Sequence, residues 1–190
     1  MEVSSNVNKI WEIDLDDSIS NKVLSSFEKY KHNEDNLVDL KNCCSNNGIQ
    51  TYNILQLEDF KQDKNLQECL KEILDVTREM IGLNLYHYWG HFIEYYRGGY
   101  QEVHNHAHNE HFSSVLYLNN CRGGETYFNF KPYVEKEDRN SYRVDPFVSI
   151  SPKKNRMIVF PGNFDHGAKK NSSWFINKKV LVLGMRVLDD

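Results

Sequence analysis

The sequence predicts a mainly β protein with flanking helices: a double-stranded β-helix, or jelly roll, with N-terminal helices packed on its major sheet. Three observations carry that expectation. After Gly82 the chain breaks into short alternating segments separated by turn residues, the texture of a β-sandwich or barrel. Before Gly82 the apolar residues recur with helical spacing instead. Two histidines two residues apart, His104 and His106, are followed about sixty residues later by His166. A rolled sheet can bring such distant residues back together.

The elements follow in order. Asp16 or Asp17 caps a first helix that carries Ile19, Val23, Phe27 and Tyr30 on one face. Residues 50–57 read as a strand. A second helix places Leu66, Leu70, Ile73, Leu74, Met80 and Ile81 in one stripe, which reads as a packing face before it reads as a partner surface. Candidate strands then span 86–96, 100–106, 112–118, 125–130, 147–150, 156–160, 165–168 and 179–187. Eight strands suit a jelly roll, and the helices would cover one outer face of its larger sheet. Residues 133–145 are charged with few apolar anchors, so they are expected to loop over the barrel mouth. There is no internal repeat, and no linker rich in proline, glycine or serine divides the chain. The expected organisation is one domain over 1–190, with 1–84 as helical support and 85–190 as the β-helix core.

Bulk properties narrow the partners. A chain of 190 residues, 39% hydrophobic, can bury one core. A net charge of −4 and a pI near 6.1 argue against a nucleic-acid partner, which calls for a basic face. The pairs Lys153-Lys154, Lys169-Lys170 and Lys178-Lys179 read first as solvated lysines. No run approaches the ~20 apolar residues of a membrane span, and residues 1–8 are polar, without the look of a signal peptide. No membrane partner and a cytoplasmic location are therefore expected. Cys43, Cys44, Cys69 and Cys121 include no CxxC pair and read as reduced thiols.

The chemistry lies in the histidines. Side chains alternate along a strand, so His104 and His106 project from one face. They follow Gly98-Gly99-Tyr100, while His166 follows Met157-Ile158-Val159-Phe160 and Pro161-Gly162. Each alone is as readily an ordinary surface or core histidine. Together they read as a three-ligand metal site that leaves coordination positions open. A mononuclear Fe(II) oxygenase needs that layout, commonly with two histidines and one carboxylate.

Several ordered motifs carry a family resemblance. Tyr96-Arg97-Gly98-Gly99 precedes the first histidine. Ser114-Val115-Leu116-Tyr117-Leu118-Asn119 and Gly123-Gly124-Glu125-Thr126-Tyr127-Phe128 come next. Arg156-Met157-Ile158-Val159-Phe160-Pro161 then leads to His166-Gly167. This series resembles the prolyl 4-hydroxylase-like branch of the Fe(II)/2-oxoglutarate-dependent dioxygenases, including its small bacterial and phage forms, over about residues 86–187. The resemblance implies a hydroxylase with Fe(II), 2-oxoglutarate and O₂, with ascorbate as a supporting reductant. The substrate class it points to is a prolyl or other peptide side chain. A viral form would work in the host cytoplasm. The resemblance also implies that Tyr117 touches the distal carboxylate of 2-oxoglutarate and that a buried cation on the last strand pairs with it. Lys179 is expected there because Lys179, Leu181 and Leu183 share one strand face; Lys178 is the alternative. Tyr96 is expected to add a hydrogen bond near the metal.

The chain departs from the family at one ligand. His-x-Asp or His-x-Glu is usual, whereas here the acid's position holds His106. His108-Asn109-Glu110 is another His-x-Glu string, although only His111 then separates it from the next strand. Alternatively, His104, His106 and Glu110 fit the HxHxxxE pattern of cupins with His166 as fourth ligand. The runner-up reading is thus a cupin-type metalloprotein, a 2-oxoglutarate-independent dioxygenase or isomerase, which has no use for a cavity-facing lysine. The expected set is His104, His106 and His166, with Glu110 left open and His108 and His111 as loop residues. Trp174 and Arg186 read as framework before they read as pocket lining.

Overall fold

A computed structural model describes residues 9–107, 110–129 and 148–188. The expected 133–145 loop and His108 lie outside the described residues, as do residues 1–8 and the strand ends Phe130 and Phe147.

The strands are β1 (Trp11–Asp14), β2 (Ser45–Gln50), β3 (Leu85–His104), β4 (Phe112–Tyr117), β5 (Thr126–Asn129), β6 (Val148–Ile150), β7 (Arg156–Pro161), β8 (Asp165–Ala168) and β9 (Lys178–Val187). They form one curled antiparallel sheet in the order β1-β7-β4-β9-β3-β8-β5-β6, with β2 also paired to β3. The fold is the expected jelly roll. Its helices are α1 (Asp17–Tyr30), α2 (Glu58–Gln62) and α3 (Lys64–Ile81). Asp16 caps α1 by accepting from the Ser18 amide at 2.7 Å, and Asp63 does the same for α3 through the Leu66 amide.

Two apolar layers lie on opposite faces of the sheet. Ile19, Val23 and Phe27 of α1 and Leu66, Leu70 and Ile73 of α3 bury against Phe92, Leu116, Leu181 and Leu183. The concave face encloses Ile93, Tyr95, Val115, Tyr117, Phe128, Ile158, Phe160 and Val180. Successive residues of β9 therefore serve different cores: Leu181 and Leu183 face the helices, while Val180 and Val182 face the barrel interior.

Three expectations about elements need correction. Residues 86–96 and 100–106 are not two strands, because β3 runs unbroken from Leu85 to His104. Gly98, at φ +81°, makes a bulge instead of a turn. This left-handed conformation is cheap only without a Cβ. Asn171 holds the bulge, accepting from the Gly98 amide at 2.7 Å and donating to the Gly99 carbonyl at 2.9 Å. The upstream strand covers Ser45–Gln50 rather than 50–57, which contains a 3₁₀ turn at Ile54–Gln56. Finally, residues 1–84 are not only helical support, since β1 extends the sheet beside β7 and β2 pairs with β3.

Candidate metal centre and its cavity

Pairing between β3 and β8 sets His104 directly opposite His166. His106 lies just beyond the end of β3, where its amide donates to the Gly162 carbonyl at 2.7 Å. The ligand-capable atoms of the three residues lie within 4.8 Å of one another. Ring centroids are 4.4 Å apart for His104–His166, 4.8 Å for His104–His106 and 5.3 Å for His106–His166.

Two rings have their tautomer fixed. His104 Nδ1 lies 2.8 Å from the Glu102 carbonyl, and His166 Nδ1 lies 2.8 Å from the Phe164 carbonyl. A carbonyl only accepts, so each Nδ1 carries the hydrogen and Nε2 keeps its lone pair. Burial lowers the pKa of all three imidazoles. His106, also flanked by His104 and His91, falls to about 4. Neutral, pre-oriented imidazoles fit a divalent iron, cobalt or zinc ion.

The triad opens into a cavity of about 330 Å³. Trp89, His91, Ile93 and Tyr95 line it from alternate positions of β3, the last three beside their paired neighbours Val182, Val180 and Lys178 of β9. Cys43, Cys44, Gln50, Gln101 and Thr126 complete much of the wall. No Asp or Glu is among the described lining residues, so three neutral donors leave a bound dication's charge uncompensated. Lys178 adds another positive charge. It is 2% exposed and makes no salt bridge among the described residues. Its Nζ sits 4.9 Å from the Tyr95 ring centroid and 5.6 Å from that of Tyr117. Burial pushes its pKa down to about 8, against the weaker pull of Cys121 and Glu125.

Lys179 does not face the cavity. It lies on the helix side of β9, where its Nζ meets Glu28 Oε1 at 2.5 Å. Lys179 does share a face with Leu181 and Leu183, but that face is covered by α1. Tyr117 is fully buried but absent from the cavity wall. Its hydroxyl donates to Thr126 Oγ1 at 2.7 Å, and Thr126 is the group that reaches the wall. Tyr96 is 38% exposed; its neighbour Tyr95 occupies the cavity.

Glu110 is outside the three-residue cluster. It is buried behind Trp89, and its Oε1 accepts from the Ser113 hydroxyl. His111 is exposed, with Nδ1 accepting from the Val187 amide at 3.0 Å. Trp174 and Arg186 are not in the cavity wall: the Arg97 guanidinium lies over Trp174, and that of Arg186 over Tyr88. Trp89, His91 and Tyr95 were missed from sequence. Their two-residue spacing would have yielded them once Phe92 was known to face the helices.

No protein-family model and no curated protein matches the sequence. Solved structures do match in fold. A prolyl 4-hydroxylase from Pseudomonas putida is 14% identical with a TM-score of 0.63, over 95% of this chain and 93% of that one. The viral collagen prolyl hydroxylase of Paramecium Bursaria Chlorella virus-1, in its 2-oxoglutarate complex, is 16% identical with a TM-score of 0.59, over 94% and 96%. An oxidoreductase of the 2OG-Fe(II) oxygenase family from Burkholderia pseudomallei reaches 0.69 at 12% identity, over 93% and 84%. The chain thus shares the jelly-roll fold of Fe(II)/2-oxoglutarate oxygenases, prolyl hydroxylases among them.

Proposed function

We propose that this protein is an Fe(II)- and 2-oxoglutarate-dependent oxygenase that hydroxylates a prolyl or other peptide side chain, yielding succinate and CO₂ from 2-oxoglutarate. One observation carries the proposal: Lys178, buried and without a carboxylate partner among the described residues, shares a cavity with three convergent imidazoles. A buried cation left without an anion is costly, and a dicarboxylate reaching from the metal would satisfy it.

His104, His106 and His166 would hold the iron, which when bound supplies the redox chemistry of O₂ activation. Lys178 binds and orients the distal carboxylate of the cosubstrate by charge and hydrogen bonding. Thr126, fixed by the Tyr117 hydroxyl, presents a polar group in the same cavity. Val115, Val180 and Val182 add apolar wall beside these polar groups, which limits water around the reacting atoms. The cupin-type alternative is less well supported, because Glu110 stands outside the histidine cluster and a lysine stands inside the cavity.

Purified protein supplied with Fe(II), 2-oxoglutarate and O₂ is expected to form succinate slowly without added substrate. That turnover should vanish in His104→Ala and His166→Ala. Succinate formation that persists in both variants would defeat the proposal.

A further inference from the structure

The three imidazoles are not supported alike. His104 and His166 each donate Nδ1–H to a carbonyl two residues earlier. Among the described residues, the ring nitrogens of His106 have no hydrogen-bond partner. Its ring lies instead beside Trp89, with centroids 5.2 Å apart and planes at 49°. Trp89 is flanked on another side by His91, at 5.1 Å, and His91 is itself fixed by Nδ1 on the Thr51 carbonyl at 2.8 Å.

Trp89 in turn rests on Glu110. A Cβ added at Gly184 would collide with both Glu110 Oε2 and the Trp89 indole nitrogen, so the two groups nest together over that glycine. Oε2 lies near the indole nitrogen and has no hydrogen-bond partner among the described residues. Gly162 makes room from another direction, since a Cβ there would meet the Glu110 carbonyl and Cγ. The Ser113 hydroxyl holds Oε1, and the Glu110 amide donates to the His106 carbonyl at 3.2 Å.

We infer that Glu110 is a positioning residue: it seats Trp89 against His106 and so orients the one imidazole of the triad that lacks a carbonyl partner. This rests on the proposed metal site but assigns Glu110 a role other than ligation. Packing against Trp89 orients the His106 ring, as a carbonyl does the other two, but leaves its tautomer free. Loss of such outer support typically weakens metal binding by about 10- to 100-fold.

The test compares Glu110→Ala, Glu110→Gln and Trp89→Leu with wild type, using Co(II) titration and imidazole NMR of the metal-free protein. Glu110→Ala and Trp89→Leu should each lower Co(II) affinity roughly tenfold and shift or broaden the His106 ring signals, leaving those of His104 and His166 in place. Glu110→Gln keeps the volume and both polar ends, so it should retain wild-type behaviour. Two results would overturn the inference: unchanged His106 signals in Glu110→Ala, or a Glu110→Gln variant that loses a ligand-field band together with Co(II) affinity. Wild-type protein that binds no Co(II) would instead defeat the metal reading. In that case the metal-free NMR still decides whether Glu110 and Trp89 hold the ring.

Discussion

Lys178 and Lys179 are neighbours on one strand and live in different media. Lys179 reaches the edge of the helix layer, pairs with Glu28 and remains partly exposed. Lys178 points into the barrel, where its charge meets aromatic rings and forms no salt bridge among the described residues. The helix-side face of β9 is built for packing, with Leu181 and Leu183 in the larger core. The inner face gives up some of that packing to hold a cavity and a costly charge. Core packing and the cavity are therefore separated by the pleat of a single strand.

Substitutions on the two faces should separate just as cleanly. Leu181→Ala should cost roughly 2–5 kcal/mol in denaturant unfolding and leave cosubstrate affinity nearly untouched. If affinity fell in parallel with stability, the two faces would not be independent. Lys178→Met should weaken 2-oxoglutarate binding by roughly a hundredfold, through loss of a charge-assisted hydrogen bond in a buried site. The same variant should stabilise the metal-free protein. Its pKa in the fold, about 8 against an ordinary 10.5, means the unfolded chain holds that proton more tightly. The penalty is full below pH 8 and fades as pH rises toward 10.5. It amounts to about 3 kcal/mol at most, and thermal melts of the variant and wild type should converge at high pH. Affinity should have the opposite trend: under the proposed role the distal carboxylate needs the protonated amine, so 2-oxoglutarate binding should weaken about tenfold per pH unit above 8, a trend absent in Lys178→Met. The smallest effect is expected from Lys179→Ala. A partly exposed ion pair contributes about 1 kcal/mol or less, and the cosubstrate requirement should not move.

The same strand shows where sequence reasoning reaches and where it stops. The histidines were legible because two-residue spacing and a distant third ring need only a rolled sheet to meet, and the fold brings them together. Helices α1 and α3 were legible from their apolar stripes and acidic caps. The choice between Lys178 and Lys179 was not, because β9 is apolar on both faces. Alternation between polar and apolar residues, the usual guide to orientation, is missing from a strand buried on two sides. The inward phase of Tyr95 is hidden for a similar reason: Glu94 and Tyr95 are both buried, so the sequence offers no contrast to set the phase. Gly98-Gly99 reads as a turn in any local view, and only the pairing with β2 and the contacts from Asn171 show that the chain continues through it. Glu110 was singled out by its spacing from His106, but spacing does not tell whether a carboxylate points at an ion or supports the ring beside it.

β3 has one further consequence. Its first part pairs with β9 and its last part with β8, so one continuous segment is stitched into both halves of the barrel. His104 stands at the far end of that segment, paired directly opposite His166. Bringing together residues so far apart in sequence carries a loop-closure entropy cost. The spacing of the two rings is thus set by the register of the β3–β8 seam, and a slip of that seam would part them.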